Sequence, residues 1–155
     1  QRMFKRENAW VWVTAALLAY GLFGCFTPAE ASYHTARDPA HHWRRYAAQV
    51  SQELGLPAGL LQAICSAESD WRPNLIGTAG EIGLCQMKPG TLAMFSHDDP
   101  KDMLDPYHSI YFAGVYLQWM QRTLKTNSHD VLAAAYNRGP YSEVVRYMLK
   151  VRSRG

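Results

Sequence analysis

One carboxylate occupies a position that a surface residue would avoid. Glu68 follows Leu60, Leu61, Ile64 and Cys65 at +8, +7, +4 and +3, so on a helix it projects from the apolar stripe toward the core. It also sits in the last turn, facing the negative end of the helix dipole. Burial and that dipole both disfavour the ionised form and raise the pKa. A carboxyl kept protonated near neutral pH is what general-acid cleavage of a glycosidic bond requires. Periodicity alone leaves an equal alternative, a frayed helix end from which Glu68 swings into water. Nearby thiols, Cys65 and Cys85, form either a bridge in an oxidising compartment or two buried free thiols. The histidines (His34, His41, His42, His97, His108, His129) lack metal-ligand spacing with carboxylates or thiols, so no metal is expected. Neither a P-loop nor a dinucleotide fingerprint is present, and no cofactor is expected.

The elements that must position Glu68 read as helices. Trp43, Tyr46, Ala47, Val50 and Leu54 form one stripe over 41–54. Gly55 ends that helix, and Pro57 opens the next, about Ala58 to Ser69. Ile110, Ala113, Leu117, Met120 and Leu124 recur at helical spacing over 107–124. An Ala-rich helix covers 130–136 and stops at Gly139-Pro140, and Ser142 is placed to cap a last helix with Val144, Val145 and Met148. Between Pro73 and Thr91 lies a glycine-rich irregular segment with room for a short hairpin at 75–87. The aromatic side chains Trp43, Trp71, Tyr111, Tyr116 and Trp119 are core by default, with Trp71 a candidate for stacking on a sugar face. The fold class is mainly α.

The 155 residues suit one domain, and 5 Trp, 9 Tyr and 5 Phe can build its core. A net charge of +3, scattered along the chain, gives no sign of a nucleic-acid partner. Residues 1–31 differ in kind from the rest. Arg2, Lys5 and Arg6 precede the uncharged stretch Ala9–Phe26, and Ala29-Glu30-Ala31 offers a small-residue cleavage site. The apolar run lies between a long signal-peptide core and a short membrane span. It predicts export, as a cleaved signal peptide or a retained anchor with membrane contact through residues 9–26, ahead of a domain at 32–155. The basic residues Arg146, Lys150, Arg152 and Arg154 read as a solvated helix face.

A resemblance sharpens this reading. Glu68-Ser69-Asp70-Trp71-Arg72-Pro73 and Gly80-Glu81-Ile82-Gly83-Leu84-Cys85-Gln86-Met87-Lys88-Pro89-Gly90-Thr91 resemble the signature of soluble lytic transglycosylases. Asp105-Pro106 and Ala134-Ala135-Tyr136-Asn137-Arg138-Gly139-Pro140 resemble two further motifs of that family, in the same order. The resemblance implies a goose-type lysozyme-like fold and a lyase that cleaves peptidoglycan between N-acetylmuramic acid and N-acetylglucosamine. It assigns Glu68 as the single acid/base and implies a 1,6-anhydro product, closed by the C6 hydroxyl. Gln86, Tyr136, Asn137, Ser69, Lys88 and Glu81 form the implied substrate-facing set, with Ser69 given to capping or orienting the helix end and Tyr136 near the catalytic carboxyl. By analogy, the enzyme is expected in the periplasm, or on the inner membrane facing it, serving a secretion, conjugation or phage assembly.

The chain departs from the family pattern at several places. Gly77, followed by Thr78, stands where the family often has Ser. Glu81 stands where Ala is common, as a second cleft carboxylate, a partner for Arg72 or Arg138, or a solvated charge. Lys88 replaces a frequent Met and meets either a peptidoglycan carboxylate or water. Ser109 and Ala113 replace the usual Asn and Gly, which reads as a packing change. Cys85 replaces a common Met; a bridge to Cys65 would tie the catalytic helix to the cleft loop. Two rival functions stay open: a hydrolytic muramidase, if Glu81 orients a water, and a non-catalytic wall-binding protein, favoured by Gly77 and Lys88.

Overall fold

The computed structural model describes residues 39–153. The leader expected at 1–31 and Arg154 lie outside the described residues. Five helices of ten residues or more run along the described chain: α1 (Pro39–Glu53), α2 (Leu60–Ser69), α4 (Pro106–Leu124), α5 (His129–Arg138) and α6 (Glu143–Arg152). Between α2 and α4 lie a single helical turn, α3 (Pro89–Leu92), and a 3-10 segment, Pro100–Leu104. No described helix is long and apolar enough to cross a membrane.

Local chemistry explains most boundaries. Asp105 accepts from the N–H groups of Tyr107 and His108, each at 2.9 Å, and Pro106 takes the first turn, where no N–H is needed. Ser128 caps α5 by accepting from the Val131 N–H. The helix α2 begins two residues later than the expected Ala58, because Pro57 and Gly59 form a turn ahead of it and Gly59 takes φ +80° at the cap position. Ser142 holds the N-cap position of α6, but its hydroxyl makes no cap hydrogen bond. That oxygen is turned into the protein, where it has no partner, so the expected cap is not formed.

The long helix α4 is the hub, contacting α1, α2, α5 and the 3-10 segment. Its predicted stripe is correct: Ile110, Ala113, Leu117 and Met120 are fully buried, and Leu124 packs at the edge. Val50 from α1, Leu60 and Leu61 from α2, and Leu132 from α5 complete this interior, each worth about 1.5–3 kcal/mol of burial. Tyr111, expected in the core, is instead 44% exposed, since it follows Ile110 onto the outward side of α4. Arg146, Lys150 and Arg152 are exposed, as the solvated-face reading expects, and Arg152 makes one contact in addition. It donates to Ser128 Oγ at 2.8 Å and so ties the end of α6 to the start of α5.

The glycine-rich segment forms no ladder. Its only pairing among described residues is two isolated antiparallel bridges, Ile76 with Ile82 and Ile82 with Met87. The loop is pressed onto the 3-10 segment at Gly83, where a Cβ would lie 1.8 Å from the Met103 carbonyl oxygen and φ is +80°. Only glycine meets both demands.

Candidate active site

The end of α2, the glycine-rich loop, α4 and α5 enclose a cavity of about 480 Å³. Glu68 lines it from the penultimate residue of α2, at the border of the buried stripe, the inward of the two positions that periodicity left open. Burial, and then the charge of Glu81, raise the Glu68 pKa above the usual carboxylate range. Directly beyond it the chain turns through two non-glycine residues in left-handed conformation, Asp70 (φ 51°) and Trp71 (φ 59°). Each costs about 1 kcal/mol or more and persists only because its surroundings hold it. Arg72 closes the turn by donating from Nε to the Ser69 carbonyl at 2.8 Å.

Three helices fix two loop residues, Leu84 and Cys85, next to Gln86. From α2, Cys65 is disulfide-bonded to Cys85, and the Ser69 hydroxyl donates to the Leu84 carbonyl at 2.6 Å. From α4, the Ser109 hydroxyl accepts the Cys85 N–H at 3.0 Å. From α5, the Tyr136 hydroxyl donates to the Cys85 carbonyl at 2.7 Å. Burial, and then the charge of Glu68, push the Tyr136 pKa far up, so the phenol stays neutral and remains a donor. Ser109 is therefore more than the packing change expected from sequence. Ser69 is 1% exposed and outside the cavity lining; it orients the helix end and does not face a substrate.

Gln86 lines the cavity with φ +49°, another left-handed non-glycine residue. Its Nε2 donates to the carbonyls of Leu75 (3.0 Å) and Gly83 (2.7 Å), which commits both amide hydrogens to the loop. Its Oε1 is left as an acceptor toward the cavity. Lys88 and Glu81 also line it, 3.4 Å apart as an ion pair. Glu81 thus takes Lys88 as its partner, and neither Arg72 nor Arg138. Glu81 is held below the usual carboxylate range, first by its own backbone N–H and next, among the lowering causes, by Lys88. One carboxyl in this cavity is pushed up and the other down, the pattern that separates an acid from a permanent charge.

Asn137 lines the cavity as predicted, and so does Thr78. Thr91, Tyr116 and Arg138 join them. Thr91 belongs to a one-turn helix with no periodic signal. Tyr116 read as core because it shares α4 with the buried stripe, and it does stack on Trp119 with centroids 5.9 Å apart. Trp71 does not reach this cavity. It lies in a separate groove with Trp43 and Pro73, 5% exposed, with the Arg44 guanidinium 5.3 Å from its ring centre.

The sequence profile of the transglycosylase SLT domain matches residues 45–152. The chain belongs to that family. The matched span contains every residue placed in the cavity above. Among named relatives of this SLT domain, the soluble lytic murein transglycosylase of Escherichia coli (strain K12) is 35% identical over 92 residues, covering 55% of this chain and 14% of the relative. The protein of the same name from Salmonella typhimurium is 36% identical over 85 residues, covering 50% and 13%. The SLT domain thus aligns with only about a seventh of those relatives' length.

Proposed function

We propose that this SLT domain is a peptidoglycan lytic transglycosylase of goose-type lysozyme-like fold, with Glu68 as its single catalytic acid and base. The observation that carries the reading is a carboxyl with raised pKa at the end of α2, lining a cavity within the family-matched span. Glu68 protonates the glycosidic oxygen leaving C1 of N-acetylmuramic acid, and the C1–O bond breaks through an oxocarbenium-like centre. The C6 hydroxyl of the same sugar then bonds to C1 and gives its proton to the Glu68 carboxylate. The product carries a 1,6-anhydro ring, and no water is consumed. Gln86 Oε1 accepts from sugar hydroxyls and the Asn137 amide donates to or accepts from them at the cavity wall, while the Glu68 carboxylate helps to keep the Tyr136 phenol protonated.

An exported site of action, in the periplasm or on the membrane facing it, follows from the leader pattern in 1–31. The Cys65–Cys85 bridge supports it, because disulfides persist in oxidising compartments. Service to a secretion, conjugation or phage assembly rests on analogy alone. One observation favours a second reading, hydrolysis: Glu81 is an ionised carboxylate in the same cavity, as two-carboxylate glycosidases require.

Digestion of purified peptidoglycan by wild type and Glu68→Gln, read by mass spectrometry, tests these readings together. Fragments ending in 1,6-anhydro sugars from the wild type, with a loss of roughly a hundredfold or more in the variant, are the expected result. Products heavier by one water would convert the enzyme to a muramidase. No release by folded wild type would leave a wall-binding protein.

A further inference from the structure

Glu81 is held in a seat built by its own loop. The Gly77 N–H donates to the Glu81 carbonyl at 2.7 Å. Oε2 of Glu81 accepts from the Ala79 N–H at 3.2 Å, and Oε1 pairs with Lys88. A Cβ at position 77 would lie 2.5 Å from Glu81 Oε2 and 2.8 Å from Gln86 Oε1. A side chain at 77 and the Glu81 carboxylate in this position therefore exclude one another. The missing side chain of Gly77, the acid at 81 and the base at 88 form one unit, although nothing in the periodicity connects them.

We propose that Glu81 is a positioning residue for this cleft: Gly77 leaves the space, Lys88 and the Ala79 N–H hold the carboxylate in it, and its fixed negative charge lines the same cavity as Glu68. The proposal rests on Glu68 being the acid, and it gives the departures at 77, 81 and 88 a common purpose. A neighbouring like charge disfavours ionisation of Glu68 and so preserves its proton-donating form to higher pH. The other charged and titratable groups lining the cavity with Glu68 and Glu81 are Lys88 from the same loop, Tyr116 from α4, and Tyr136 and Arg138 from α5. Among the described residues, Glu81 is the only other carboxylate in that lining. Its second effect is steric, since the same carboxylate and the Gln86 Oε1 bound the space at Gly77.

The test uses the full chain as wild type, Glu81→Gln, Gly77→Ala and the double variant Gly77→Ala/Glu81→Ala. Two readouts are taken: the pH profile of kcat/KM for muropeptide release, and an NMR titration of the Glu68 carboxyl carbon. Glu81→Gln is expected to move both the alkaline limb of the profile and the Glu68 titration to lower pH, by roughly half a unit or more. Gly77→Ala is expected to lower kcat/KM by roughly tenfold to a hundredfold. Adding Glu81→Ala removes the closer approach, at Glu81 Oε2, and leaves the one at Gln86 Oε1, so it should recover part of that loss. A Glu68 titration that does not move in Glu81→Gln overturns the proposal. If wild type releases no anhydro fragments, the transglycosylase reading falls, while the NMR titration still decides the role of Glu81.

Discussion

At the scale of single residues, the raised pKa of Glu68 works against stability at neutral pH. The folded protein holds its proton to higher pH than the unfolded chain, whose carboxyl titrates near 4.5. That contribution is complete below the unfolded value and is lost as pH rises through the raised folded value. Glu68→Gln, neutral at every pH, is therefore expected to melt above wild type at pH 7, with the gap closing toward pH 4. A gap that is the same at both pH values would count against a buried acid. Tyr136→Phe tests the neighbouring bond. Leaving the Cys85 carbonyl without its donor is expected to cost about 1–2 kcal/mol in chemical denaturation. Glu68 stood out because helical periodicity offered it an inward position and the ordered motifs around it favoured that position over the exposed one. The committed amide of Gln86 and the Glu81–Lys88 pair did not, because residue type does not reveal which of several nearby partners a polar group takes.

At the scale of elements, helices were the readable part. The stripes of α1 and α4 and the Asp105-Pro106 start depend on neighbours three or four residues away, so pattern and capping chemistry suffice. The loop after α2 takes its shape from contacts far along the chain: Cys85 with Cys65 and Ser109, and Gly83 against Met103. Two variants probe it. Gly83→Ala places a Cβ onto the Met103 carbonyl, and a loss of at least about 3 kcal/mol or a failure to fold is expected. Ser109→Ala removes the acceptor of the Cys85 N–H. It is expected to cost about 1–3 kcal/mol and to lower muropeptide release, while the circular dichroism of the helices stays intact.

At the scale of the whole molecule, the Cys65–Cys85 bridge joins the helix bearing Glu68 to the loop bearing Gln86. It closes a loop with a sequence separation of 20, which corresponds to about 3 kcal/mol of stabilisation. Reduction by a thiol is expected to lower the melting temperature by several degrees and to weaken activity, as followed by calorimetry and muropeptide release. The double variant Cys65→Ser/Cys85→Ser should reproduce that drop and lose its response to the thiol. By itself the sequence determined the helical class, the buried stripes and the kinship carried by ordered motifs, and it singled out the carboxyl at the end of α2 as the candidate acid. Those features follow from local spacing and residue chemistry, which survive in the unfolded order of the chain. Only the tertiary structure decided that the thiols are joined, that Ser69 is an internal strut, that Trp71 lies apart from the cavity, and that Gly77 makes room for Glu81. Each of these depends on which distant groups meet, and packing of α2, α4 and α5 around the loop sets that meeting.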